Sequence, residues 1–479
     1  MRLSAHDASF LYTETASGPM HGVVVSVLEG AVTTEEVREY YAARIHLVPR
    51  LRQKLAFVPF NLAHPKWVDD PEFDLANHIR RHKVAPNTDV KRATELALEL
   101  GEPLLDRSRP LWLTYVLENV EDKTLLVQLL HHSFVDGATA VAMSTVLTDP
   151  TPDAAAPEPP PAGRPEPVPA SFRLWQEAVA ENAQQGVAEA QRMMQQAPRI
   201  ADLTSQAASL IERMTKPVMV APWNASLVGP KREVAILRYE VDDFRPIRKA
   251  LGGTINDIVV SVVSEGAARY LKAAGEIVDN QTLRVMCPVD VRGAGSDPLD
   301  MTGNHVSAMF PLVSAQPMTM QERYSAVRAE LDEIKGHKEP EVMNQLQDLQ
   351  PYVPPIGMSQ VLGVGTPWDP TAAAARAPLP IPPRTAGPRP QQYGFNFTCT
   401  NVPGPTWTQY VAGHKVRSVI GTLMLSGNLG LGVTVGSYAG AFTFGFTCDP
   451  RLVPDVDRFA ACVAEAFTEI RALAQPTQD

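Results

Sequence analysis

The sequence predicts an α/β protein built in two halves, each a mixture of strands and helices. Three observations lead there. Short apolar runs of strand length alternate with longer amphipathic stretches on both sides of residue 160. Two proline-rich tracts interrupt the chain: residues 150–169 hold nine of the 43 prolines and residues 351–390 hold eleven, so the remainder has an ordinary proline content. An apolar fraction of 44% with 20% charged residues suits a chain with a real core and excludes disorder as the main state. The expected division is a first unit over 1–149, a proline-rich linker with connecting helices over 150–222, and a second unit over 223–479 that carries the insert at 351–390.

In chain order, residues 23–28 are an apolar strand. Residues 34–47 are a helix, with Thr33 or Thr34 as cap and Glu36 in its first turn. Residues 112–117 and 124–130 are apolar runs around a polar turn, a hairpin pattern. The second run ends directly at His131 and His132, and residues 137–147 follow as a short apolar helix. The tract 150–169 cannot hold a helix or an interior strand, because proline lacks the N–H and fixes φ. Residues 171–215 supply one or two helices that pack across the junction of the halves, with a membrane-surface helix as the second option.

The second half opens with a strand at 233–239 and a helix at 242–250 that stops at Gly252-Gly253. A long apolar helix spans 256–272, with Thr254 as cap. A strand at 283–289 and a helix at 318–335 follow. After the second proline tract come a strand at 394–400, a strand pair within 418–438, a strand at 442–447 and a final helix over 455–473 behind Pro454.

The net charge of −10 argues against nucleic acid as a partner, since that affinity rests on Lys and Arg neutralising phosphates. Cys287, Cys399, Cys448 and Cys462 are far apart and form no CxxC pair, so neither a metal site nor a disulfide framework is expected. The first ten residues have no apolar signal core. The uncharged run 418–448 is broken by Gly, Ser and Thr, a pattern of strands and turns and not of a membrane span. The expected location is cytoplasmic, with a peripheral place on a membrane or lipid-body surface as an option.

The chemistry concentrates in His131-His132-Ser133-Phe134-Val135-Asp136-Gly137. An apolar strand delivers two histidines into a turn that carries an aspartate and a glycine. Histidine is the natural general base near neutral pH. Neighbouring strand residues point to opposite faces, so one of the two can enter a given site. Asp136 can orient an imidazole or tether the loop; its structural alternative is to cap the helix behind it. No GxSxG serine elbow accompanies the turn, which favours direct activation of a hydroxyl over a Ser-His-Asp hydrolase.

This HHxxxDG segment resembles the signature of the CoA-dependent acyltransferase superfamily. Further blocks make the chain similar to the bacterial wax ester synthase/diacylglycerol acyltransferase family. They are Asp7-Ala8-Ser9-Phe10-Leu11 with Pro19-Met20-His21; Arg50-Leu51-Arg52-Gln53-Lys54-Leu55; Trp67-Val68-Asp69-Asp70-Pro71-Glu72-Phe73-Asp74; and Pro110-Leu111-Trp112. Later come Asn256-Asp257, Pro288-Val289-Asp290-Val291-Arg292, Gly303-Asn304 and Asn401-Val402-Pro403-Gly404-Pro405. The resemblance runs from about residue 3 to residue 473 and skips the proline tracts and the stretch 171–222. The insert at 351–390 is longer than the family pattern leads one to expect.

The resemblance implies two mixed sheets flanked by helices, with an active-site tunnel at the domain interface. It implies transfer of a long-chain acyl group from acyl-CoA, a co-substrate, to diacylglycerol or a fatty alcohol, with no metal or redox cofactor. His132 would be the general base, with His131, Asp136 and Gly137 completing the motif. Asp136 would be structural and paired with an arginine, Arg52 first and Arg292 second. Asn256, Thr398, Thr400 and Asn401 are candidate oxyanion donors, each with a turn or capping role as its alternative. Asp257 and Asn304 belong to matched blocks with a binding or structural role, and Pro403 and Gly404 would shape the tunnel wall. Two other functions stand beside this one: acyl transfer to a different acceptor, and a non-catalytic paralogue that binds lipid bodies.

Overall fold

A computed structural model describes residues 1–159, 167–184, 207–291, 306–348, 391–392 and 394–474. The insert 351–390, together with Arg292, Gly303 and Asn304, lies outside these described residues.

The first half contains helices α1 (Ala5–Thr13), α2 (Thr34–Ala42), α3 (Val90–Leu100) and α4 (Gly137–Leu147). Its strands are β1 (His21–Glu29), β2 (Gln53–Ala56), β3 (Lys66–Asp69), β4 (Ile79–His82), β5 (Trp112–Val120) and β6 (Lys123–His131). Helix α5 covers residues 171–184 and α6 is Ala208–Thr215. The second half has α7 (Val241–Leu251), α8 (Ile255–Ala273), α9 (Met320–Gly336), α10 (Glu339–Asp348) and α11 (Val456–Leu473). Its strands are β7 (Val218–Met219), β8 (Glu233–Glu240), β9 (Thr282–Asp290), β10 (Val306–Met309), β11 (Leu312–Ser314) and β12 (Gln391–Gln392). They continue with β13 (Phe397–Val402), β14 (Tyr410–Val411), β15 (His414–Gly421), β16 (Leu431–Tyr438) and β17 (Ala441–Cys448).

Local chemistry accounts for the helix starts. Thr33 and Glu36 form a reciprocal capping box on α2, as do Thr254 with Asp257 on α8 and Thr319 with Glu322 on α9. Helix α2 ends at Ala42, short of the expected 47. There the Arg44 guanidinium turns back to the Tyr40 carbonyl and ring and pairs with Asp149 at 2.8 Å, and residues 45–47 tighten into a 3-10 turn. The β5–β6 hairpin is longer than expected. Asn119 and Glu121 adopt positive φ of 62° and 54°, which inserts a bulge and keeps polar Glu118 and Asn119, together with buried Val120, within the strand.

Two large sheets organise the molecule. The first has the order β14-β15-β1-β6-β5-β4 and the second β10-β9-β13-β16-β17-β8, with β11 beside β9. Residues 418–438 were expected to hold a strand pair, but the two strands there do not pair. β15 runs antiparallel to β1 in the first sheet, with Val25 opposite Ile420. β16 lies in the second sheet between β13 and β17. Alternation marks both as strands but carries no label for the sheet each joins. The second half therefore lends β14 and β15 to the first sheet, and a cut at the first proline tract does not separate the two sheets.

Each sheet buries one face under helices. In the second, Phe442, Phe444 and Phe446 of β17 pack with Phe244 of α7 and with Phe459 and Phe467 of α11. The opposite face carries small side chains: Thr398, Thr400 and Val402 on β13, and Gly432, Thr434 and Gly436 on β16. Helices α8 and α11 meet at Gly266, where an added Cβ would lie 2.3 Å from Val463 Cγ2 and 3.0 Å from its Cα. Replacing Gly266 with Val should therefore destabilise the protein by about 2 kcal/mol despite removing a helical glycine. Urea denaturation should show a lower midpoint with an unchanged slope.

Candidate active site

Five of the sequence blocks converge on the HHxxxDG turn. The turn closes on itself, with the Phe134 N–H donating to the His131 carbonyl at 2.9 Å. Asp136 caps α4 by accepting from the Thr139 N–H at 2.8 Å. The His131 N–H donates to the Leu111 carbonyl (3.1 Å), which ties in the Pro110-Leu111-Trp112 block. The His132 N–H donates to the Met20 carbonyl (2.8 Å), which ties in the Pro19-Met20-His21 block. Phe134 packs edge-on against Trp67, and Arg50 sits over the same indole at 4.6 Å. Trp112 is buried, donates from Nε1 to the Leu51 carbonyl and stacks on His78.

The two histidines have different partners. His131 is fully buried, and its Nδ1 accepts from the Ser133 N–H at 3.1 Å and from the Ser133 hydroxyl at 2.7 Å. A backbone N–H can only donate, so the ring proton is on Nε2, which faces Glu14 Oε1 at 3.3 Å. His132 stacks on the Phe10 ring with centroids 4.3 Å apart, and His6 meets the same ring edge-on. Burial drives the His132 imidazole down to about 4; the Asp136 carboxylate opposes the shift, and His131 and His6 add to it. The His132 imidazole is thus neutral throughout the physiological range.

Glu14, which sequence reasoning missed, anchors the arrangement. It accepts from the Met20 N–H at 2.8 Å and pairs with Arg107 at 2.9 Å. Burial alone would raise its carboxyl, but the His131 contact, the Met20 N–H and Arg107 outweigh it and hold the group at about 2. His6, Phe10 and Glu14 are spaced by four residues and so form one edge of α1 running to its C-cap, laid along both histidines. That spacing was the available signal, but a glutamate at a helix end is usually solvated.

The second sheet reaches the turn through the Asn401–Pro405 block, numbers 401–405. A Cβ on Gly137 would lie 3.2 Å from Val402 Cγ2, so the start of α4 rests against the end of β13. Gly404 is held against β16: its N–H donates to the Ser437 hydroxyl at 3.0 Å, and a Cβ there would strike the Ser437 carbonyl at 2.1 Å. Thr398 and Thr400 share the Val402 face of β13, whereas Asn401 has the parity of core residues Phe397 and Cys399. Pro403 is exposed at the turn.

Other candidates lie elsewhere. Asp257 is the capping-box residue of α8 and pairs with Lys335 of α9 at 3.3 Å; Asn256 sits beside it in the same first turn. Neither has a recorded contact with the histidine turn among the described residues. Arg52 is exposed and makes no ion pair with Asp136 among the described residues, so the expected Arg52–Asp136 pair is not formed. Its place at the end of a 3-10 turn faces it to solvent, while its neighbour Arg50 turns inward onto Trp67. Arg292, the second choice, and Asn304 are outside the described residues.

The buried histidines make stability acid-sensitive. His132 and His64 are both lowered to about 4 by burial, and His6, His21 and His78 are lowered for the same main reason. The unfolded chain takes up these protons near 6.5 while the folded chain resists until about 4. Stability should be full above pH 6.5 and fall between 6.5 and 4, by on the order of 3 kcal/mol for each of the two strongest. Denaturant midpoints measured across that range should decline steadily.

A model of the wax ester synthase/diacylglycerol acyltransferase catalytic domain matches residues 3–259, and one of the family's C-terminal domain matches residues 302–471. A Mycobacterium tuberculosis (strain H37Rv) protein with a provisional diacylglycerol O-acyltransferase name is 28% identical over 98% of this chain and 90% of its own length. The wax ester synthase/diacylglycerol acyltransferase from Marinobacter aquaeolei VT8 superposes with a TM-score of 0.66 at 19% identity, over 99% of both chains. The first condensation domain of the calcium-dependent antibiotic synthetase gives 0.58 at 11% identity over 99% of this chain and 96% of its own, a likeness of fold. With both family models covering most of its length, the chain belongs to the wax ester synthase/diacylglycerol acyltransferase family.

Proposed function

We propose that the protein transfers a long-chain acyl group from acyl-CoA to the hydroxyl of diacylglycerol or a fatty alcohol, with His132 as general base. The observation that carries this reading is a neutral imidazole on Phe10, with the Asp136 charge beside it, in a turn that touches both sheets. The acceptor hydroxyl gives its proton to the imidazole as its oxygen attacks the thioester carbonyl. The tetrahedral intermediate collapses, the C–S bond breaks, and the departing thiolate takes the proton back from the imidazolium. Acyl-CoA is the co-substrate, and no metal or redox group enters these steps.

Burial keeps His132 in the form that accepts a proton, and Asp136 stabilises the cation that appears as the hydroxyl is deprotonated. The oxyanion calls for a donor on the inner face of the second sheet. The Thr400 hydroxyl, half-buried and two residues before Val402, is better placed by strand parity than Asn401. Such acceptors reside in lipid, and peripheral contact with a lipid surface fits them. Phe60, Phe172 and Trp407 are 77%, 66% and 50% exposed, apolar surface that this contact would cover. No helix among the described residues is long and apolar enough to cross a membrane.

Purified protein incubated with labelled palmitoyl-CoA and either dioleoylglycerol or hexadecanol should form the corresponding ester. His132→Ala should stay folded by circular dichroism and lose at least about 100-fold in rate. Ester from neither acceptor would favour a different acceptor or the lipid-binding paralogue; full activity in His132→Ala would refute the base assignment.

The pH profile gives an independent check. A base held at about 4 is free well below neutrality, so kcat/KM should stay level from pH 8 to about 5.5 and fall only beyond. A fall centred near 6.5, as for an ordinary histidine, would contradict the assignment.

A further inference from the structure

We infer that Gly436 sets the length of aliphatic chain the site accepts, its missing side chain leaving the path by which a substrate's hydrocarbon passes the catalytic turn. This rests on the acyl-transfer reading above. Gly436 is opposite Val402 in the parallel β13–β16 pair, so the two positions open onto the same face. Val402 is the residue that meets Gly137 on that face. Position 436 is therefore one strand away from the contact between the second sheet and the HHxxxDG turn.

The glycines on this face are used differently. A Cβ at Gly432 would strike Leu423 at 2.3 Å, and one at Gly445 would strike the Gly421 carbonyl at 2.6 Å. Both make room for the segment that returns from β15, and the Thr434 hydroxyl bonds the same Gly421 carbonyl at 2.6 Å. Among the described residues, a Cβ at Gly436 would meet nothing within 4 Å. Its backbone is not in the left-handed region either, so conformation does not call for glycine. Glycine weakens a strand interior and often marks close approach of a ligand. Position 436 is on an interior strand, between β13 and β17, yet it is half-exposed.

The surroundings indicate what passes there. Val402, Thr434 and Thr443 share the face with Gly436 and carry no charge. They suit a hydrocarbon chain; the charge on the same row is Arg238 of β8, exposed across from Thr443 and beside Glu240, one strand farther from the turn. The chain can belong to the acyl group or to the acceptor; the chemistry is the same.

The test uses Gly436→Leu and Gly436→Ala in the full chain, with unreactive S-hexadecyl-CoA, S-butyl-CoA and hexadecanol as probes in titration calorimetry. For Gly436→Leu the ratio of the S-hexadecyl-CoA Kd to the S-butyl-CoA Kd should rise at least ten-fold if the acyl chain runs there. If the acceptor's chain does, hexadecanol binding should weaken at least ten-fold instead. Gly436→Ala, which β-structure tolerates, should move the same quantity in the same direction by a smaller factor and decides the matter if the leucine variant does not fold. Unchanged ratios and unchanged hexadecanol affinity in a folded variant would overturn the inference. Wild-type turnover, assayed in parallel, reports on the acyl-transfer reading separately, because binding is measured without reaction.

Discussion

The buried Glu14 carboxylate is the group on which the HHxxxDG turn depends. It ends α1, receives the Met20 N–H, faces the His131 imidazole and is charge-balanced by Arg107. Burying a carboxylate is tolerable only with such company. The arrangement reaches His132 by two routes. One runs through Met20, whose N–H is held by Glu14 and whose carbonyl holds the His132 N–H. The other runs along α1, where Phe10 lies one turn before Glu14 and supports the His132 ring. The first twenty residues are thus a splint for a turn more than a hundred residues away.

The second constraint is the crossing of the chain between sheets. β13 ends in the second sheet at Val402, the chain turns at Gly404 against Ser437, and β14 and β15 then extend the first sheet. On returning, the chain lays Gly421 and Leu423 over the inner face of β16 and β17, where only glycine and threonine leave room. The same crossing joins the halves and sets Val402 against Gly137 of the HHxxxDG turn. Local sequence sets the strands, but the crossover places the chemistry at a junction.

Much of this was readable in advance. The helix at 255–273 with its Thr254 cap, the helix at 137–147 and the final helix follow from caps and periodicity, which act over a few residues. The HHxxxDG turn and its converging blocks were legible because each carries unusual side chains at short spacing. The allocation of β15 and β16 to different sheets was not, since alternation is the same in either. Glu14 was missed for a similar reason: its role comes from what packs on it, 117 positions away at His131. Arg52 was named as the partner of Asp136, but it faces solvent, and it is Arg50, on the other side of the same 3-10 turn, that turns onto Trp67. Asp257 drew notice as part of a motif, but its capping box and its Lys335 contact already account for its buried carboxylate.

The doubled histidine now has a physical rationale. A strand that ends in two identical residues presents them to opposite sides, and here each side wants a different imidazole. His131 enters the buried cluster, where its fixed tautomer serves Ser133 on one nitrogen and Glu14 on the other. His132, half-buried, is left on Phe10, where burial of the ring holds it neutral. In the proposed role a base held this weak needs help once it gains a proton, and Asp136 would supply it from a place the fold already requires: the N-cap of α4, where the positive end of the helix dipole favours a carboxylate. The one aspartate that starts the helix also acts on the charge of His132, the proposed base. That economy explains why the motif is a contiguous strand, turn and helix start, and not residues gathered from distant segments.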